Sequence, residues 1–324
     1  MMTRRLLLTT IAALATSVMV APARSQQWPA RPVRVIVPFP AGGLTDGIAR
    51  LVSARLGESL GQPFVAENIG GAGGVIAART VMRATADGYT LFLASLPQMG
   101  ILPALEDVSY DPVKDFAPIS NIASAPFVLM VNARVPAKTL REFVDYVRAR
   151  PGQTAYASAG VGTITHLSMA LFLKRAGLDM IHVPYKGGPP AVTDLLAGHV
   201  AAYFGTRTDA VQQSQTGMIR ALAVSDDRRS AQFPDAPTIA ESGYPGFRTI
   251  TWNGLVAPAG TPEAIVDKLA GEVQRAIKNE AFIRMLTSLG VDPIGDSPRE
   301  FAATIAMGVP VWSEAVRIAG MKPH

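Results

Sequence analysis

Short β-branched runs and helical stretches alternate along this chain in two separate series. The first opens with "VRVIVPF" (Val33–Phe39), an apolar run of the kind that forms a buried strand. Ile48, Leu51, Val52 and Leu56 follow at helical spacing, and Gly61 is placed to end that helix. "PFVAEN" reads as a second strand. The Gly-rich "IGGAGG" leads into a helix around Val75–Ala84, and Asp87-Gly88 turns the chain into a strand at Tyr89–Ala94. Strand and helix in strict alternation predict a parallel sheet with crossover helices.

The second series predicts a helix over Leu140–Arg148, a strand at "TAYAS", and a helix over Thr163–Ala176 closed by Gly177. A strand at "MIHVPY", a helix over Ala191–Leu196 closed by Gly198, and strands at "VAAYF" and "IRALAVS" complete it. Between the series, Phe127–Val131 predicts a long strand joining two lobes. Beyond "WNGLVAPAGTP" come amphipathic helices near Glu263–Lys278 and Glu280–Leu289, then a helical tail after Ser297 expected to return to the first lobe. The pattern is that of an α/β protein with two lobes and a cleft. Residues 26–124 with 250–324 form the expected first lobe and 125–249 the second. The crossings near Ala123–Pro126 and Thr249–Gly254 are the expected hinge.

Composition narrows the function. Residues 1–25 read as an export signal: the basic head "MMTRR", the apolar Leu6–Val20, then "APARS", with cleavage expected near Ser25. Thr3-Arg4-Arg5 leaves both the general and the twin-arginine export routes open. Removing this segment takes away three arginines and no acid, so the formal charge falls from +5 to +2. That balance gives no reason to expect nucleic acid. The chain has no cysteine, which excludes disulfides, thiol nucleophiles and zinc–thiolate sites. A periplasmic protein without cofactor or metal is the simplest reading.

Two loops share one chemistry. "PFPAGGLTDGIAR" (Pro38–Arg50) and "YASAGVGTITHLSMALF" (Tyr156–Phe172) each run from a strand, through small residues and hydroxyls, into a helix. The first amides of a helix lack partners within it, and the helix dipole favours an anion there. One such loop on each lobe is suited to grip a single small anion across the cleft. Asp46, in the first turn of its helix, reads as a dipole partner and not as a general base.

Signals for catalysis are weak. The four histidines are His166, His182, His199 and His324, with no H-E-x-x-H pattern. "YASAG" has the end of a nucleophile elbow, but Tyr156 stands where the first glycine of G-x-S-x-G belongs. A secreted hydrolase using Ser158 with His166 is the alternative reading.

These two loops, with "ENIGGAGGVIAARTVMRATADGYTL", "YDPVKDFAPIS", "HVPYKGGPPAVTDLLAGHV" and "WNGLVAPAGTP", closely resemble the periplasmic receptors of the tripartite tricarboxylate transporter system, the Bug family. The resemblance covers almost the whole chain after the signal. It implies a type II, Venus-flytrap binding-protein fold, each lobe a mostly parallel sheet flanked by helices. It implies a monomeric, non-enzymatic receptor that passes a small carboxylate to a membrane permease; a sensing role with a signalling partner is the other possibility. The binding residues it implies are Phe39, Ala41, Gly42, Gly43 and Thr45 from the first loop, and Ser158, Gly160, Gly162, Thr163 and His166 from the second. Ser95, Leu96, Pro97, Gln98 and Met99 are expected to wall the distal pocket.

One departure bears on the ligand. Many members of the family have an aspartate after the strand read here as "VAAYF", whereas this chain has Gly205, Thr206 and Arg207. Loss of that carboxylate disfavours a ligand ammonium group. It leaves Gly205, Thr206 and Arg207 as candidate contacts, with Arg207 facing either a second anionic end of the ligand or solvent.

Overall fold

The computed structural model describes residues 28–321; the expected export signal and His324 lie outside the described residues. In chain order, β1 (Val33–Val37), α1 (Leu44–Leu60), β2 (Phe64–Asn68), α2 (Val75–Met82) and β3 (Thr90–Ser95) build the first series. A π-helical turn, Pro97–Ile101, runs into the short α3 (Leu102–Leu105). The long β4 (Phe116–Asn132) then leads to α4 (Leu140–Arg148), β5 (Ala155–Ser158), α5 (Ile164–Ala176), β6 (Ile181–Pro184), α6 (Gly188–Ala197), β7 (Ala202–Thr206), α7 (Arg207–Ser214) and β8 (Ile219–Val224). The chain returns along β9 (Ile250–Pro258) and closes with α8 (Glu263–Ile277), α9 (Glu280–Ser288), β10 (Asp292–Pro293) and α10 (Pro298–Ile318).

Local chemistry explains these elements. Leu140, Phe143, Val144 and Val147 bury one face of α4, and the Thr139 side chain accepts the Glu142 amide at its start. α1 ends on Gly61, whose φ of 71° gives the left-handed cap that a side chain resists. β1 is buried at four of its five positions, as a strand covered on both faces must be.

The strand order is β2-β1-β3-β9-β4-β7-β5-β6. β1 lies parallel between β2 and β3, and β5 lies parallel between β6 and β7. The centre is antiparallel: β9 pairs with β3 on one side and β4 on the other, and β4 also pairs with β7. The two expected crossings are therefore neighbours. Ser124 faces Trp252, Ala125 faces Thr251 and Pro126 faces Ile250.

The tail helix does more than return to the first lobe. α10 contacts α8 and the π-turn on that side and α5 on the other. It lies close to β9 because Gly254 has no side chain; a Cβ there would collide with the ring of Phe301. Trp252, nearly fully buried, meets Phe301 edge-on at 5.1 Å, so it is a packing residue.

Candidate functional site

β1 and β5 each deliver a loop to the same cleft. In the first loop, Gly42 has φ of 88°, a conformation glycine adopts without strain. Its N–H donates to Asp46 Oδ2 at 2.9 Å. The same carboxylate accepts from Arg50 Nε and from Asn68 Nδ2. The Arg50 hydrogen bond is foremost in holding the Asp46 pKa down to about 2, against the opposing effect of burial. Asp46 therefore clamps the loop as well as facing the helix dipole. Thr45 donates to Asn253 Oδ1 on β9 at 3.0 Å, fixing the start of α1 to that strand.

The second loop is held by a denser network. Thr163 donates to the Gly160 carbonyl at 2.7 Å, and the Ala159 amide donates to Thr165 Oγ1. The Gly160 amide donates to Ser158 Oγ, and the Gly162 amide to His166 Nδ1 at 3.2 Å. An accepting Nδ1 means that a neutral His166 carries its proton on Nε2. Burial, with His182 beside it, pushes the His166 pKa down to about 4. His166, His182 and Tyr156 form a stack, with ring centres 3.9 and 4.9 Å apart.

These bonds relocate the anion-binding potential. The amides of Gly42, Gly160 and Gly162 already have acceptors. Among the described residues, those of Gly43 just before α1, of Leu44, Thr45 and Asp46 in its first turn, and of Ile164, Thr165 and His166 in α5 have no protein acceptor. Neither helix has a side-chain cap, a property shared with α2, α6 and α8, whereas α4, α7, α9 and α10 are capped by Thr139, Thr206, Asn279 and Ser297. The open donors belong to the first helical turns, and the glycines shape the approach to them.

Between the loops lies a cavity of about 430 Å³. Of the expected site residues, Phe39, Gly162 and Thr163 line it, and so do the expected wall residues Leu96 and Pro97. Gly73, from the Gly-rich segment before α2, reaches it too. Ile101, Leu102, Leu105, Val161, Ile164 and Thr251 complete the lining. The wall expected from the sequence stops at Met99 and misses Ile101 and, from α3, Leu102 and Leu105, because the π-turn that leads into α3 has no simple periodicity. Other hollows, such as one of about 400 Å³ bounded by Lys138–Leu140 and Gln232–Pro237, touch neither loop.

The remaining expected residues stand behind or outside this lining. Ala41, Gly42 and Gly43 are exposed on the first loop, while Thr45, Ser158 and His166 are buried supports. Ser95 is turned inward and donates to Gln98 Oε1 at 2.6 Å. Gln98 and Met99 are buried behind Leu96 and Pro97. Gly205 is buried where a Cβ would strike Met130 and the Tyr203 ring, so an aspartate has no room in this packing. Thr206 caps α7. Arg207 faces neither ligand cavity nor solvent: it is 4% exposed, donates to both carboxylate oxygens of Asp292 at 2.7 and 2.6 Å, and reaches the Gly290 carbonyl. Ser158 meets His182 Nε2 at 2.7 Å instead of His166, and at 0% exposure its hydroxyl is closed to a substrate.

Residues 48–320 match the family model described as the tripartite tricarboxylate transporter family receptor. The chain belongs to that family. This receptor is 37% identical over 311 residues to protein BugT of Bordetella pertussis, covering 95% of each chain. Among solved structures it resembles R. palustris Rpa4515 with adipate, at 35% identity and a TM-score of 0.73, covering 92% of this chain and all of that one. It also resembles MatC from Rhodopseudomonas palustris with bound malate, at 36% identity and a TM-score of 0.68, covering 89% of this chain and all of that one. The fold and family are those of a periplasmic solute-binding receptor, a non-enzymatic class. Among its described residues no helix is long and apolar enough to cross a membrane, and no cluster of His, Asp and Glu is arranged to hold a metal.

Proposed function

We propose that this receptor captures a small carboxylate, lacking an α-amino group, between the first turns of α1 and α5 and delivers it as a monomer to a membrane permease. Cleavage near Ser25 releases it into the periplasm. Residues 26–124 with 250–324, and residues 125–249, are the lobes that close on the ligand. The observation that carries the reading is one cavity lined by Phe39 of the first loop and by Val161, Gly162, Thr163 and Ile164 at the uncapped start of α5, with the uncapped start of α1 following Phe39 along the same loop. Two relatives solved with adipate and malate agree with it.

The energetics favour joint capture. A hydrogen bond to a charged group contributes roughly 1.5–3 kcal/mol, and a helix terminus adds about 0.3–1, or ~2 when partly buried. Micromolar affinity needs about 8 kcal/mol after the costs of association. A carboxylate taking two bonds from one helix start gains about 3–6 kcal/mol, and bonds from both starts together reach the required range, so tight binding couples to lobe closure. With no charged amine partner at Gly205, aspartate and glutamate are poor ligands.

The test is calorimetry on the mature chain with small carboxylates and their uncharged amides. Acids should bind and amides should not; equal binding of both would remove the anion site from the reading. Loss of uptake on deletion of a neighbouring permease gene would support delivery over sensing.

A further inference from the structure

We propose that the ligand is a monocarboxylate with an apolar body, such as a medium-chain or aromatic acid, and that a second acid group is excluded by the distal wall. The proposal rests on the carboxylate-receptor reading above and names the substrate class of the same cavity.

The distal wall is Leu96, Pro97, Ile101, Leu102 and Leu105, and Ile164, the first residue of α5, adds apolar surface from the other side. Among the described residues, no lysine, arginine or histidine lines the cavity. The cation that the sequence placed nearest, Arg207, is fully engaged by Asp292 and the Gly290 carbonyl. Polar groups behind the wall are also satisfied among themselves. Gln98, 0% exposed, accepts the Ser95 amide and hydroxyl on Oε1 and donates from Nε2 to the Gly73 carbonyl at 2.6 Å. Its own carbonyl accepts the Tyr110 hydroxyl at 2.7 Å. A second carboxylate there would give up water for at most the Thr251 hydroxyl, with no cation to pair with it, which is unfavourable for a charge.

Apolar surface gains instead. Val161, 61% exposed at the rim, adds a cover that an apolar ligand would bury. A volume of about 430 Å³ lies toward the small end of the range for ligand pockets, roughly 300–1,000 Å³. Each methylene added within that room should tighten binding by about fourfold.

The experiment is isothermal titration of the mature chain with butanoate, hexanoate, adipate, benzoate and hexanamide. Hexanoate is expected to bind at least tenfold more tightly than adipate and about sixteenfold more tightly than butanoate, with hexanamide silent. Adipate equal to or tighter than hexanoate would overturn this inference and leave the carboxylate receptor standing. Hexanamide as tight as hexanoate, or no binding by any acid, would overturn both. Leu102→Arg, which places a cation on the half-buried wall, should shift the ratio of affinities toward adipate by at least tenfold; an unchanged ratio in a folded variant would remove the wall as the determinant.

Discussion

His166 should make this receptor's stability fall with pH over a defined window. Its ring is buried, stacks on His182 and accepts the Gly162 amide, all as neutral imidazole. Its folded pKa of about 4 lies below the ordinary 6.5. As pH falls, the unfolded chain therefore takes up the proton first, and stability declines from about pH 6.5 to about pH 4. The interval corresponds to about 3 kcal/mol, at roughly 1.36 kcal/mol per pH unit. His182 acts in the same direction, because burial lowers its pKa too. Asp46 acts elsewhere: its pKa is depressed to about 2, so its contribution is complete above the ordinary carboxylate range and disappears only as pH falls toward 2. Asp296, raised by burial, acts in the opposite direction to the histidines, but equally in parent and variant. The perturbation is His166→Asn, which keeps a side-chain acceptor for Gly162 and removes the titrating ring. Urea denaturation at pH 7, 5.5 and 4 should show the parent losing about 3 kcal/mol more than the variant. Parallel curves would refute the buried neutral histidine as the cause.

Three further substitutions test the framework. Arg207→Ala should cost about 1–3 kcal/mol in urea denaturation, because it leaves Asp292 and the Gly290 carbonyl without their donor; the Asp292 side chain is 45% exposed, so water softens the loss. Thr45→Val strands the buried Asn253 oxygen and should cost about 1–3 kcal/mol; the same variant should bind hexanoate more weakly in calorimetry, since the start of α1 is no longer fixed to β9. Gly254→Ala drives a methyl into the Phe301 ring and should lower the thermal midpoint by an amount equivalent to about 1–3 kcal/mol or more.

Much of the fold was legible because its signals are local. The αL glycines Gly61, Gly177 and Gly198 ended three helices where expected. The sequence marks β9 only as a crossing, since Asn253 and Gly254 look unlike strand residues; Gly254 is there to admit Phe301, a contact 47 residues away in the chain. The apolar run marks β4 only from Phe127 onward, but pairing with β9 carries it back to Phe116 through Pro118 and two register irregularities. The two loops were readable as strand–glycine–helix units, but the partners of their amides were not. Asp46 capping Gly42 and His166 capping Gly162 are side-chain choices made only once the loop has turned. Arg207 marks the limit most sharply. A charged residue after a strand is ordinarily wet or functional, and the carboxylate that buries it, Asp292, comes from an element of two residues with no sequence signature of its own.

The side-by-side register of Ser124 with Trp252 and of Pro126 with Ile250 has a mechanical consequence. Two separated tethers would allow the halves to twist and slide independently. Strapped to each other by backbone hydrogen bonds, these two bend as a single ribbon, stiff along its plane and pliant across it. The proposed closure would thereby be confined to one rocking direction, with each shutting stroke returning the two helix mouths to the same alignment.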